Sequence, residues 1–153
     1  LGTLLGIIDT DPEFSFKPPF IRYLSEVAFI QIGDASITGV PGELYPEIAV
    51  GGIENPIGAD YAITPQEVPP LRSQFPDKHK LMVNLANDSI GYIIPKSEWD
   101  EDAPWIYGEN EETYGEIVSL GPNTAPIIHE NLVKLIEESK KIMNRVKYSH
   151  GEN

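Results

Sequence analysis

The stretch Glu26-Val27-Ala28-Phe29-Ile30-Gln31-Ile32-Gly33-Asp34-Ala35-Ser36-Ile37-Thr38-Gly39-Val40-Pro41-Gly42-Glu43 decides the fold. Glu26 to Ile32 is rich in aliphatic and aromatic residues and reads as a strand; Gly33-Asp34 is a two-residue turn, and Ala35 to Val40 returns as the hairpin partner. Pro41-Gly42 stops that second strand. Glu43 to Val50 then reads as a short helix, with Pro46 tolerated in its first turn and Gly51-Gly52 closing it.

Working outward, residues 1–22 form a loop-rich lead-in broken by Pro12, Pro18 and Pro19. From Gly51 to Pro76 the chain is rich in Gly and Pro and longer than an ordinary connection, which marks it as functional or mobile. Lys80 to Ala86 reads as another strand, and Asn87 to Pro95 as an irregular, extended continuation. Glu98 to Glu112 is dense in Asp and Glu without EF-hand spacing and reads as a solvated acidic loop. Asn123 to Tyr148 is a long amphipathic helix, capped by Asn123 or Thr124. Its expected buried stripe is Ile128, Leu132, Leu135, Ile136, Ile142, Met143 and Val146. Residues 149–153 are a polar tail. Strands followed by helices, with no repeated strand–helix–strand unit, predict an α+β fold: a mixed β-sheet covered by helices over residues 23–148.

Composition narrows the chemistry. With 11 Lys+Arg against 24 Asp+Glu the net charge is -13, a surface that repels phosphate backbones and argues against nucleic acid as partner. There are no cysteines, so thiolate catalysis and Cys-based zinc sites are excluded; a metal site here must use imidazole, carboxylate or phenol oxygen. No run is long and apolar enough for a transmembrane segment, and no targeting signal is visible.

Two places carry candidate chemistry. Glu43 follows the Pro41-Gly42 turn, where a strand end gives a side chain a fixed direction; it either serves a site there or caps the helix that follows. Glu47, one helical turn on, either backs Glu43 or faces solvent. Tyr92, in Asn87-Asp88-Ser89-Ile90-Gly91-Tyr92-Ile93, reads by itself as core packing with its hydroxyl at the rim.

In this order, Val40-Pro41-Gly42-Glu43, Asn87 to Tyr92-Ile93, Glu98-Trp99, Tyr114-Gly115-Glu116 and Gly121-Pro122-Asn123-Thr124 resemble the second half of the neutral (non-lysosomal) ceramidase catalytic domain, over roughly residues 26–136. The resemblance implies Glu43 and Tyr92 as ligands of a catalytic Zn2+ beside two histidines. It implies Tyr114 as the residue that holds the reacting carbonyl, with Tyr107 as a rival. The implied reaction is hydrolysis of a lipid amide such as N-acylsphingosine, in an extracellular or periplasmic protein. The chain is then the C-terminal half of the catalytic domain, its partner the N-terminal half, which brings the histidines. None of the three histidines here fits that role: His79 sits in a charged turn, His129 on the long helix as a packing or surface residue, and His150 in the tail. Ile53, Ile57, Ile63, Val68 and Leu71 are expected to form one wall of an apolar groove. The competing expectation is a non-catalytic ligand-binding or structural module, with Trp99, Trp105 and Tyr107 lining its groove.

Overall fold

The computed structural model describes residues 10–11, 22–63 and 66–150. Most of the lead-in therefore lies outside the described residues. Thr10–Asp11 (β1) and Arg22–Tyr23 (β2) make a short antiparallel pair. The hairpin follows as the alternation of side chains dictates: Ala28–Ile32 (β3) pairs antiparallel with Ala35–Gly39 (β4) across the Gly33-Asp34 turn. After Glu43–Leu44 (β5), Pro46–Val50 (α1) and Leu71–Gln74 (α2), His79–Val83 (β6) joins β4 in parallel. The sheet order is β3-β4-β6, mixed in direction, as the sequence predicts.

One face of this sheet carries Phe29 and Met82, packed against the core, with Ser36 and Thr38 fully buried beside them. The opposite face presents Ile30, Ile32, Leu81 and Val83 to solvent. Tyr92–Ile93 (β7), Tyr114–Ile117 (α3) and Thr124–His150 (α4) complete the chain, with α4 lying against β3 and α2. Ile128, Leu132 and Ile136 of α4 fall on one stripe and enter the same core as Val40, Ile48, Leu71, Phe75 and Ile93.

Several expectations need correction. The helix does not begin at Glu43. The backbone N–H of Glu43 donates to the Gly91 carbonyl at 3.0 Å and that of Tyr45 to Ile93 at 3.2 Å, so these donors build a strand ladder. The helix starts only where Pro46, which has no N–H to give, occupies its first turn. Glu43 is therefore not a helix cap. On α4 the buried stripe ends at Ile136: Ile142 is 59% and Met143 38% exposed, because the helix runs on past the elements it packs against. Leu135 is half-buried, the side chain of Val146 lies outside the described residues, and the helix reaches His150 rather than Tyr148. The expected groove wall does not form as a unit, since Leu71 is core whereas Ile57 is almost fully exposed. Among the described residues no helix is long and apolar enough to cross a membrane.

Candidate functional site

Three stretches of backbone converge beside the main sheet, and small residues let them do so. The Ile90 N–H donates to the Pro41 carbonyl at 2.9 Å, which draws the Asn87–Tyr92 segment onto the Pro41-Gly42 turn. A Cβ on Gly42 would lie 2.3 Å from the Gly91 carbonyl oxygen, so the Pro-Gly-Glu turn needs its glycine for this approach. From there β5 and β7 run parallel, with Glu43 opposite Tyr92 and Leu44 opposite Ile93. Tyr92 also bridges to Ser119 on its other side.

Register decides the site. Residues opposite one another in a ladder project to the same face, and successive residues to opposite faces. Leu44 and Ile93 are buried and point into the core. Glu43 and Tyr92 therefore share the outer face, and Tyr45, two residues after Glu43, joins them. The Tyr45 and Tyr92 rings meet edge to face at 6.1 Å between centroids, as do those of Tyr92 and Tyr114 at the start of α3. Tyr92 and Tyr114, expected to act together, are thus ring neighbours. Glu43, exposed, stands beside Tyr92 in the ladder.

The rings border a cleft of about 350 Å³ lined by Tyr45, Tyr92, Tyr107, Tyr114, Glu98 and Glu116 among others. Both rivals for the carbonyl-holding role line it. Tyr107, at a positive φ of 57°, gives its hydroxyl to the Glu54 carboxylate, whereas Tyr114 abuts Tyr92. The bond to Glu54, reinforced by burial, pushes the Tyr107 phenol up to about 12. Burial, followed by the charges of Glu116 and Glu98, pushes Tyr45 up to about 12 as well. Burial also raises Glu116 above the usual carboxylate range, opposed by the Thr113 hydroxyl that donates to it.

Glu47 is not the solvent-facing residue that its short helix suggests. It is 5% exposed and accepts from the Ser97 hydroxyl at 2.8 Å. The acidic stretch is likewise only partly solvated: Asp100 is fully buried and accepts from the Ile106 N–H at 3.0 Å. Trp99 is 1% exposed and lines no groove. His129 is a packing residue, its Nε2 2.8 Å from the Pro69 carbonyl, and burial lowers its pKa. His79 opens β6 instead of lying in a turn.

Glu98 collects these charges. Burial first, then the carboxylates of Glu54, Glu47 and Glu116, push its carboxyl up to about 7 from 4.5. A folded value above the unfolded one means that the protonated group favours folding. That contribution is complete below pH 4.5 and is lost as pH rises through about 7. Its solvent-facing side screens the effect, so about 1 kcal/mol of stability is expected to disappear between pH 5 and pH 8. Urea unfolding at the two pH values, wild type against E98Q, reads this as a change in their difference; a constant difference shows that Glu98 titrates normally.

Sequence reading overlooked Tyr45 and Glu98 as cleft residues. The signal for Tyr45 was its spacing of two from Glu43, which counts only once that segment is taken as a strand.

Among the described residues no group of three or more His, Cys, Asp or Glu is placed to hold a metal ion. Glu43 and Tyr92 offer one carboxylate and one phenol oxygen from adjacent strands, a donor pair that fits zinc as part of a larger ligand set. No family model, no curated protein and no solved structure matches this chain.

Proposed function

We propose that this chain supplies part of the catalytic centre of a zinc-dependent amide hydrolase of the neutral ceramidase type, with Glu43 and Tyr92 as two of the metal's ligands. The observation that carries this reading is the register of β5 against β7. The two residues singled out by the resemblance, distant in sequence, are direct neighbours on one face. The remaining ligands, imidazoles, are assigned to polypeptide outside this chain, the N-terminal half of the same catalytic domain. His79 and His129 belong to β6 and to the α4 packing instead.

A bound zinc supplies Lewis acidity at the amide carbonyl and an acidified water. Glu43 and Tyr92 fix the metal's position relative to the sheet through their short, rigid ladder. Tyr114, held against Tyr92, presents its hydroxyl to the carbonyl oxygen, where a donor gains strength as negative charge develops. The substrate class is an N-acyl lipid amide such as N-acylsphingosine, and the setting extracellular or periplasmic.

Co-expressed with the polypeptide that flanks it in its own gene, the chain is expected to carry about one zinc per molecule by elemental analysis. E43A and Y92F are each expected to lose that metal together with amide hydrolysis. Zinc retained in both variants overturns the ligand assignment. A wild-type complex without zinc favours the alternative, a non-catalytic ligand-binding module.

A further inference from the structure

The cleft beside the Glu43–Tyr92 pair has a chemical character that the metal site does not require. Four of its lining side chains are tyrosines, two are carboxylates, and none is basic among the described residues that form it. The Tyr45–Tyr92 and Tyr92–Tyr114 rings stand nearly perpendicular, at 81° and 79°. In each edge-to-face pair the rim of one ring meets the face of the other, and all four tyrosine rings line the cleft. An aromatic face carries the negative end of the ring quadrupole and attracts cations within about 6 Å of its centre.

The charges point the same way. Glu98 and Glu116 line the cleft directly, and the charges of Glu54 and Glu47 act on Glu98, with Glu54 taken up by the Tyr107 hydroxyl. The nearby Lys96 does not neutralise them, because its Nζ is bound to Glu67 at 2.7 Å. A pocket lined by tyrosines and carboxylates, with no basic side chain, is complementary to an organic cation rather than to a neutral or anionic group.

We infer that the cleft of Tyr45, Tyr92, Tyr107, Tyr114, Glu98 and Glu116 is a binding site for an alkylammonium group. Where this inference names the role of that group, it rests on the hydrolase reading. Hydrolysis adds water across the amide C–N bond: the acyl carbon keeps the water oxygen and becomes a carboxylate. The nitrogen leaves with its own hydrogen and the two from water, as an alkylammonium. The cleft takes that amine half of the substrate, and its carboxylates Glu98 and Glu116 hold the charge that appears on release.

The test uses n-butylammonium chloride as probe and 1-butanol as its uncharged counterpart, with the chain as it stands and no metal added. Titrations at pH 8.5 are followed through the tyrosine ring resonances by NMR. Butylammonium is expected to bind saturably, about tenfold or more tighter than butanol, and E98Q to weaken it by about tenfold. At exposed Tyr114, Y114F keeps the ring and is expected to stay within about twofold of wild type, whereas Y114L loses about fivefold. Butanol binding as tightly as butylammonium, or E98Q leaving butylammonium affinity unchanged, overturns the site. Y114F weakening as much as Y114L overturns the contact with the ring face. These readouts need neither zinc nor turnover: butylammonium binding without zinc in the flanked protein removes only the hydrolase reading, and zinc without butylammonium binding removes only the ammonium site.

Discussion

Gly91→Ala is expected to destabilise the protein by about 4 kcal/mol or more, at the severe end of single substitutions. A Cβ at this position would lie 1.6 Å from the carbonyl oxygen of Val118 and 2.8 Å from its carbon, both backbone atoms that no rotamer change can move. Residue 91 also sits at a φ of +89°, a conformation in which L side chains are strained. Relief requires the Val118–Ser119 segment, which bridges to Tyr92 through Ser119, to separate from β7, and Tyr92, the next residue, moves with it. Gly108→Ala provides the control. Gly108 has a φ of +74° but open space where its Cβ would go, so its cost is the backbone preference alone, about 1 kcal/mol. Urea unfolding of both variants measures the contrast. Equal losses would show that the approach of Val118 to Gly91 is not a constraint.

Trp99→Ala is expected to cost about 4 kcal/mol, the range for emptying a large aromatic site in a packed core. Trp99 is among the largest fully buried side chains, at 1% exposure. Its carbonyl accepts from the Asp60 N–H at 2.9 Å, and its own N–H bonds the Lys96 carbonyl at 3.3 Å. The residue thereby pins the long Gly/Pro-rich segment to the turn that carries Ser97 and Glu98. Trp99→Phe is expected to lose only about 2 kcal/mol, since it fills most of the volume and removes an indole N–H that is buried without a partner among the described residues. Thermal unfolding orders the three proteins. If Phe is as costly as Ala, the indole nitrogen is bonded after all and the packing account of this position is wrong.

Legibility followed the range of the interaction. The β3–β4 hairpin was readable because the strand, its turn and its partner are contiguous, so strand propensity and turn residues report on the same structure. The helix of α4 was readable from its period. Its buried extent was not, because Ile142 and Met143 continue the stripe beyond the partners that would cover them. Glu43 looked like the first residue of a helix because the ladder that makes it a strand comes from Tyr92, which local pattern cannot report. The same blindness hid Glu47, whose five-residue helix is too short for periodicity to show which side faces the Ser97 hydroxyl. In the acidic stretch, charge density suggested solvent exposure. Only the fold shows that the Ile106 N–H waits for the carboxylate of Asp100. The Pro41-Gly42 turn marked Glu43 locally, but the roles proposed for Glu43, Tyr92 and Tyr114 come from resemblance in motif order, which no local signal supplies.

The parallel pairing of β5 with β7 has a consequence for how the chain acquires its site. A parallel ladder cannot close through a tight turn, and here it draws together segments roughly fifty residues apart, so the whole intervening loop must be gathered first. Neither segment alone has any tendency to place its oxygen near the other's. The carboxylate and the phenol therefore become neighbours only as the domain folds, and any ligand that grips both acts as a clasp on that loop, favouring the native state by mass action in proportion to how tightly it is held.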